Sequence, residues 1–310
     1  MAVNPDRWGV IYNPRAGGKR ARKRWTEIVE YMESQQVKFD YIQSEGFGSV
    51  ERLTRTLANN GYQTIVVVGG EGAINDAVNG IMNSDVVDKN SIALGIIPNG
   101  LSNDFAKFWE IDTEDYKVAV DMIIKRRLRK IDVGVLKYHN ENGLVIRYFV
   151  NAVYLGLVAR IVRITHGTKR FWGIPLLSYL SSLFLLIWER KLYPMKLKIN
   201  NETIQKKVMA IAIGSARGYG LTPSAVPYNG WLDVSIIYRP DVKDLISGLW
   251  LLHKGRLLNH RNVKAYRTKK VCIDEAKHTE VSLDGRILQE QYFPMKLYIN
   301  HEALTLIIPS

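Results

Sequence analysis

Gly69, Gly70 and Gly72, with the Glu71 carboxylate set among them, are the residues of this chain whose types and spacing point most directly to chemistry. A turn without side chains lets a ligand approach the backbone, and its amide N–H groups can cradle an anion. The carboxylate offers a proton acceptor or a cation ligand beside that anion. Phosphate is the usual guest where a helix begins at such a turn, because the helix dipole adds positive character at its N-terminus. The flanking residues supply those elements. Ile65-Val66-Val67-Val68 is a β-branched run suited to a buried central strand, and Ile74, Ala77, Val78 and Ile81 recur at helical spacing.

Other readings of this turn fit less well. Gly70-Glu71-Gly72-Ala73-Ile74-Asn75 nearly matches the dinucleotide fingerprint G-x-G-x-x-G, but Asn75 stands where the third glycine allows close helix–strand packing. No carboxylate lies between Ser91 and Ile97, where the ribose-binding acid is expected. A Walker A loop is excluded, since Gly18-Lys19 is followed by Arg20 and Asn13 replaces the first glycine. On this segment alone, a ligand-free βα turn stays open as an alternative. His139, His166, His253, His260, His278 and His301 have no zinc-like spacing, and Gly214-Ser215-Ala216 lacks the glycine pattern of a nucleophile elbow.

Further segments narrow the choice. Val10-Ile11-Tyr12-Asn13-Pro14-Arg15-Ala16-Gly17-Gly18-Lys19 is a short strand entering a turn, and Ile92-Ala93-Leu94-Gly95-Ile96-Ile97-Pro98-Asn99-Gly100-Leu101-Ser102-Asn103-Asp104 repeats that design. Far along the chain stands Val281-Ser282-Leu283-Asp284-Gly285-Arg286. Taken with Phe149-Val150-Asn151-Ala152, Gly218 to Ala225 and Trp231-Leu232-Asp233-Val234, the chain resembles the diacylglycerol kinase catalytic-domain family over nearly its whole length. That family includes soluble bacterial lipid kinases and the sphingosine and ceramide kinases.

The resemblance implies an α/β N-terminal domain with a parallel sheet, of the NAD-kinase and diacylglycerol-kinase type, followed by a β-rich, sandwich-like lipid-binding domain. It implies an active site in the cleft between them and transfer of the ATP γ-phosphoryl group to a lipid hydroxyl, with Mg²⁺. The nucleotide would be held by Asn13, Gly17, Gly18, Ser44, Gly69, Gly70, Glu71, Gly72, Ala73, Ile74, Asn75, Gly100, Leu101, Asn103 and Asp104. Glu71, Asn229 and Trp231 would serve the metal, and Glu71, Asp284 and Arg286 the catalysis.

Several positions depart from the family pattern. Glu71 replaces the aspartate of Gly-Gly-Asp-Gly-Thr, Ala73 its threonine, and Leu101 the threonine of Pro-x-Gly-Thr-x-Asn-Asp. Arg286 stands where the family's Asp-Gly-Glu has a proposed general base, and Asn229 where an aspartate is tied to a structural magnesium. Two readings follow. Either Glu71 or Asp284 takes the lipid proton or holds Mg²⁺ while Arg286 contacts phosphate, or the chain binds nucleotide or lipid without efficient turnover.

The elements that must position these groups change character near residue 130. Before it, strands at Val10 to Tyr12, Phe39 to Ile42, Ile65 to Val68 and Ile92 to Ile97 alternate with helical patterns at Trp25 to Met32, Val50 to Leu57 and Ile74 to Met82. That alternation predicts a parallel α/β sheet over 1–130. Over 131–310 short strands dominate: Ile131 to Leu136, Leu144 to Tyr154, Met195 to Ile199, Val208 to Ile213, Leu232 to Tyr238, Val271 to Ile273, Val281 to Leu283, Leu297 to Ile299 and Leu304 to Ile308. Val242, Leu245, Ile246 and Leu249 mark one helix among them. At 310 residues two domains are the default.

Composition sets the setting. No secretory signal is expected, because Asn4, Asp6 and Arg7 interrupt any apolar run, and the single cysteine, Cys272, fits a reducing compartment and a small core position. The expected location is cytoplasmic, peripheral at the inner face of the membrane. A net charge of +13 points to an acidic partner surface, with ATP, a lipid substrate, an anionic membrane and a second copy of the chain as expected partners. Lys19 to Arg24 and Lys125 to Lys130 are basic clusters, the first beside a candidate anion site and the second suited to a helix end. No RRM, KH or helix-turn-helix signature is present, which counts against nucleic acid. Residues 174–188 form an apolar stretch of about 15 residues, short of the roughly 20 that cross a bilayer, and suit a buried helix or a lipid entrance.

Overall fold

Aliphatic runs in the first part of the chain become parallel strands: β1 (Trp8–Tyr12), β2 (Phe39–Gln43), β3 (Thr64–Gly69) and β4 (Ala93–Pro98), in the order β2-β1-β3-β4. The computed structural model describes residues 6–14, 20–100, 103–163, 191–217, 220–239, 241–289 and 291–310. Gly17, Gly18, Lys19, Leu101 and the apolar stretch 174–188 lie outside the described residues. Every residue of β1, β3 and β4 is buried, as in central strands covered on both faces.

The covering helices are α1 (Arg20–Ser34), α2 (Ser49–Asn59), α3 (Glu71–Met82), α4 (Asp104–Phe108) and α5 (Tyr116–Lys125). Ile28 and Met32 of α1 are fully buried one turn apart, and Trp25 stacks on Tyr12 with ring centroids 4.6 Å apart. Gly80 lets α2 and α3 meet closely. A Cβ there would lie 2.5 Å from the Glu51 carbonyl oxygen and 2.6 Å from the Thr54 Cβ.

The chain divides into two compact units, Met1–Val133 with His301–Ser310, and Gly134–Asn300. The second is a β-rich unit built from β5 (Leu128–Asn140), which begins in the first unit, β6 (Gly143–Phe149), β7 (Ala152–Gly156), β8 (Tyr193–Ile199), β9 (Glu202–Val208), β10 (Ala210–Gly214), β11 (Leu232–Ile237), β12 (Val263–Thr268), β13 (Lys270–Ala276), β14 (Val281–Leu283), β15 (Arg286–Ile287) and the start of β16 (Tyr292–Ile307). A helix, α6 (Val242–His253), joins β11 to β12 by way of a 3₁₀ turn at Leu257–Asn259.

In this unit one sheet runs β12-β11-β10-β7-β14-β15, and β16-β13-β8-β9 with β5 and β6 forms the other. Inward residues of both build one core, including Leu155, Ile211, Val234, Leu197, Ile273 and Leu297. The outer side of the first sheet carries a smaller cluster around Ala152, Tyr154, Ala212, Leu221 and Leu257.

Four differences from the sequence expectations have physical causes. The single strand foreseen at Leu144 to Tyr154 is two, β6 and β7, because the backbone at Val150 and Asn151 turns aside to donate its amides to a carboxylate. Conversely, the strands foreseen at Leu297 to Ile299 and Leu304 to Ile308 are one. β16 runs through the polar Asn300-His301-Glu302 because the fully buried Asp132 carboxylate accepts the Glu302 amide at 2.9 Å and faces His301 Nδ1 at 2.6 Å. Beyond it, Thr305 and Leu306 pair in parallel with Ala93 and Leu94 of β4. The largely exposed strands β9 and β12 carry too few buried positions to show a strong pattern. Cys272 is partly exposed rather than core, its thiol donating to Asp274 Oδ1 at 3.3 Å.

Gly80→Ala is expected to force α2 and α3 apart and lower unfolding stability by about 1–3 kcal/mol. A urea titration would check this as a lower midpoint at unchanged slope.

Candidate functional site

Each parallel strand of the first unit releases a candidate residue at its carboxyl end, where open α/β sheets bind ligands. Asn13 follows β1, Ser44 follows β2, Gly70 follows β3, and Asn99 and Gly100 follow β4. Register keeps these ends level. Tyr12 lies opposite both Gln43 and Val68, and Gly69 opposite Pro98. Backbone bonds then tie the exits together: Asn13 N donates to Val68 O at 3.0 Å, Ser44 N to Tyr12 O at 2.8 Å, and Asn99 N to Gly69 O at 2.8 Å.

The glycines here serve close approach. A Cβ on Gly69 would stand 2.7 Å from that of Ala73, so position 69 has no room for a side chain. A Cβ on Gly70 would lie 3.0 Å from the Gly100 Cα, and one on Gly100 only 2.6 Å from the Gly70 Cα. The two turns therefore touch backbone to backbone. Of the amides at the start of α3, those of Ala73 and Ile74 both donate to the Gly70 carbonyl, at 2.9 and 3.1 Å. Ile74 and Asn75 are buried with their side chains inside the unit, and Asn75 O accepts from Asn79 Nδ2 at 2.9 Å.

Glu71 links the two turns. Its Oε1 accepts the Phe105 amide at 2.9 Å, in the first turn of α4, so one carboxylate stands at the positive ends of two helices. Asn103 shapes the same region. It adopts the left-handed conformation (φ 50°) as the residue capping α4, accepts the Gly100 amide at 3.1 Å and donates back to the Gly100 carbonyl at 3.0 Å. Asp104 is the first residue of α4.

Asn99 is a polar residue that the sequence did not single out. It is only 5% exposed, and its buried Nδ2 has no hydrogen-bond partner among the described residues. A buried amide donor left unmatched costs about 1–3 kcal/mol, so it suits a site completed by a ligand or a water. The signal for it was its place between Pro98 and Gly100 at a strand end.

Within the second unit, Asp284 and Gly285 connect β14 to β15 as a two-residue turn, with φ of 43° and 81° and Leu283 opposite Arg286. This is the positive-φ pair that a tight hairpin demands. The Asp284 carboxylate accepts the backbone amides of Val150, Asn151 and Ala152 at 2.8, 3.0 and 2.9 Å, and its own amide donates to Ala152 O at 3.0 Å. A carboxylate engaged in this way is an anchor for the Val150–Ala152 turn. It fixes the hairpin that presents the half-buried Arg286.

Asn229 and Trp231 form a local turn, Asn229 Oδ1 accepting the Trp231 amide at 3.0 Å. Its oxygen accepts one bond there and keeps a second lone pair, and no group of three His, Cys, Asp or Glu able to hold a metal ion occurs among the described residues. No helix of the described residues is long and apolar enough to cross a membrane.

Comparison with known proteins bears on both units. Residues 7–136 match the family model described as the diacylglycerol kinase catalytic domain, and residues 151–308 the one described as the YegS C-terminal NAD kinase beta sandwich-like domain. The diacylglycerol kinase of Bacillus subtilis is 25% identical over 286 residues, covering 89% of this chain and 88% of that one. That of Staphylococcus saprophyticus is 23% identical over 281 residues, covering 89% and 87%. Among solved structures, a diacylglycerol kinase from Bacillus anthracis superposes with a TM-score of 0.70 at 17% identity, over 98% of this chain and 97% of that one. Yeast NADH kinase, solved with NADH, gives 0.55 at 10% identity, over 99% and 84%. The structural likeness is one of fold: an α/β unit with a parallel sheet and a β-rich unit.

Asp284→Asn would turn an amide group toward at least one of the three backbone donors. Unfolding stability is expected to fall by about 1–3 kcal/mol, read from thermal or denaturant unfolding of the purified variant.

Proposed function

The chain belongs to the diacylglycerol kinase catalytic-domain family, and on that premise we propose that it transfers the γ-phosphoryl group of ATP to the hydroxyl of a lipid, of the diacylglycerol or sphingoid and ceramide-like class. The observation that carries this reading is the backbone contact of Gly70 with Gly100 at the carboxyl ends of β3 and β4, beside the buried Asn99 amide. A site free of side chains next to an unmatched donor suits an anionic, hydrogen-bond-accepting guest, and polyphosphate is one.

In this reading the Asn13, Ser44, Gly69–Asn75 and Gly100–Asp104 segments cradle the nucleotide. The lipid oxygen forms a bond to the γ-phosphorus, the bond from that phosphorus to the β–γ bridging oxygen breaks, and ADP leaves. Glu71 receives the hydroxyl proton. Its side chain is one methylene longer than the family's aspartate, and its bond to the Phe105 amide sets its direction. Arg286 donates to phosphate oxygens as a planar, permanently charged fork. Asp284 acts through it, as the residue that positions the hairpin. Mg²⁺ brought by the nucleotide would neutralise phosphate charge, with few protein ligands of its own. The acceptor sits at the inner face of a membrane, where the protein binds peripherally.

Arg286 favours a second reading as well. A cation occupies the place of the family's proposed base, and losing general-base help typically removes 10²- to 10⁴-fold in rate. A nucleotide or lipid binder of low turnover would have the same fold.

Purified protein given labelled ATP, Mg²⁺ and membrane lipid is expected to yield a phosphorylated lipid identifiable by mass. Glu71→Gln, which keeps the bond to the Phe105 amide, is expected to reduce the initial rate by about 10²-fold or more. Equal rates for variant and wild type would remove Glu71 from the chemistry, and no product from any lipid class would favour the binder. Gly100→Ala, whose methyl meets the Gly70 backbone, is expected to weaken nucleotide binding at least about tenfold, measured by calorimetry on the folded variant.

A further inference from the structure

The outward face of the β16-β13-β8-β9 sheet in the second unit has a charge pattern that the catalytic reading leaves unused. Core residues alternate with outward ones along each strand. Leu136 and Tyr138, Leu197 and Ile199, Val271 and Ile273, and Met295 and Leu297 face the core. Their neighbours Lys137, Lys196, Lys198, Lys207, Lys270 and Lys296 therefore share the opposite face. Two carboxylates accompany them, Asp274 and Glu275, at the irregularity in β13.

Of these lysines, only Lys198 has an ion-pair partner among the described residues, Asp274 at 3.1 Å. A solvated face stabilised by its own ion pairs would have matched more of them. Apolar and aromatic groups flank the lysines on the same side. On β6, Leu144, Ile146 and Tyr148 alternate with the inward Val145 and Phe149, and Leu144 is 59% exposed. Tyr298 of β16 lies beneath the Lys137 ammonium, 5.2 Å from it.

We propose that this sheet face is a docking surface for an anionic lipid bilayer, with the lysines against phosphate headgroups and Leu144, Tyr148 and Tyr298 at the headgroup boundary. Charge complementarity names the occupant. A second copy would set lysine against lysine, whereas an anionic leaflet attracts basic groups by about 1 kcal/mol each. Tyrosine and lysine also suit an interface that is apolar on one side and wet on the other. The choice of a bilayer rests on the lipid-kinase reading, but the face shares none of the residues assigned to that chemistry.

The test is sedimentation of the purified full chain with vesicles of phosphatidylcholine, with and without phosphatidylglycerol. Wild type is expected to bind only the anionic vesicles and to be released by salt. Substituting Lys137→Gln, Lys207→Gln, Lys270→Gln and Lys296→Gln together is expected to lower partitioning by about 10³-fold. A version with Lys207→Gln and Lys270→Gln alone should lose about thirtyfold, and thermal unfolding establishes that both variants are folded. Neutralising Arg52, Arg55, Lys254 and Lys277, which are exposed elsewhere, is expected to change binding less than about threefold.

Wild type that ignores anionic vesicles, a fourfold variant that binds like wild type, or an equal loss in the control set would each overturn the proposal. So would tighter retention on a single-stranded oligonucleotide at matched salt, abolished by the same substitutions, since the face would then serve nucleic acid. Sedimentation needs no phosphoryl transfer. A failed kinase assay with intact vesicle binding would sink the catalytic reading and leave the docking face, and an active enzyme indifferent to vesicles would do the reverse.

Discussion

The contact between the Gly70 and Gly100 backbones is the constraint on which the first unit's candidate site depends. Two turns leaving adjacent parallel strands converge until a single methyl on either would collide with the other main chain. The other local features accommodate that approach. Gly69 carries no side chain because Ala73 stands where its Cβ would lie, Asn103 takes up a left-handed conformation to clasp Gly100, and Glu71 joins α3 to α4 through the Phe105 amide.

A comparable clasp organises the second unit. Asp284 gathers three consecutive amides, and the same residue makes the turn that carries Arg286. Such a carboxylate has most of its accepting capacity engaged by backbone, which is why the division of labour proposed here gives the proton to Glu71 and the phosphate contact to Arg286. Arginine at the end of this hairpin offers a longer, permanently cationic side chain, which attracts anions rather than protons or metal ions.

Much of this was legible in the residues themselves. Short apolar runs, β-branched throughout only in β3, marked β1, β3 and β4 because strands buried on both faces need no alternation, and the period of Ile28 and Met32 marked α1. The Asp-Gly pair at 284–285 was recognisable as a motif, but its partner lies more than 130 positions earlier, and no local pattern shows that a carboxylate will interrupt a strand at Val150. Asn99 was hidden for a similar reason: only burial reveals that an ordinary strand-end amide has no match. The sheet-face lysines form no cluster along the chain, and only the register of β8, β9, β13 and β16 sets them side by side.

The buried Asp132, facing His301 and the Glu302 amide, has a bearing on how the protein is made. Residues 301–310 belong to the first unit, and Thr305 and Leu306 complete the edge of β4. A ribosome that has delivered everything up to Val133 has therefore not delivered a finished first unit, for the β4 flank stays open and the Asp132 carboxyl lacks these acceptor-matched groups until the last stretch emerges. The first unit, though its strands are encoded first, completes its sheet only after the whole second unit has been made, and an N-terminal fragment cut at the apparent border would expose an unpaired strand edge.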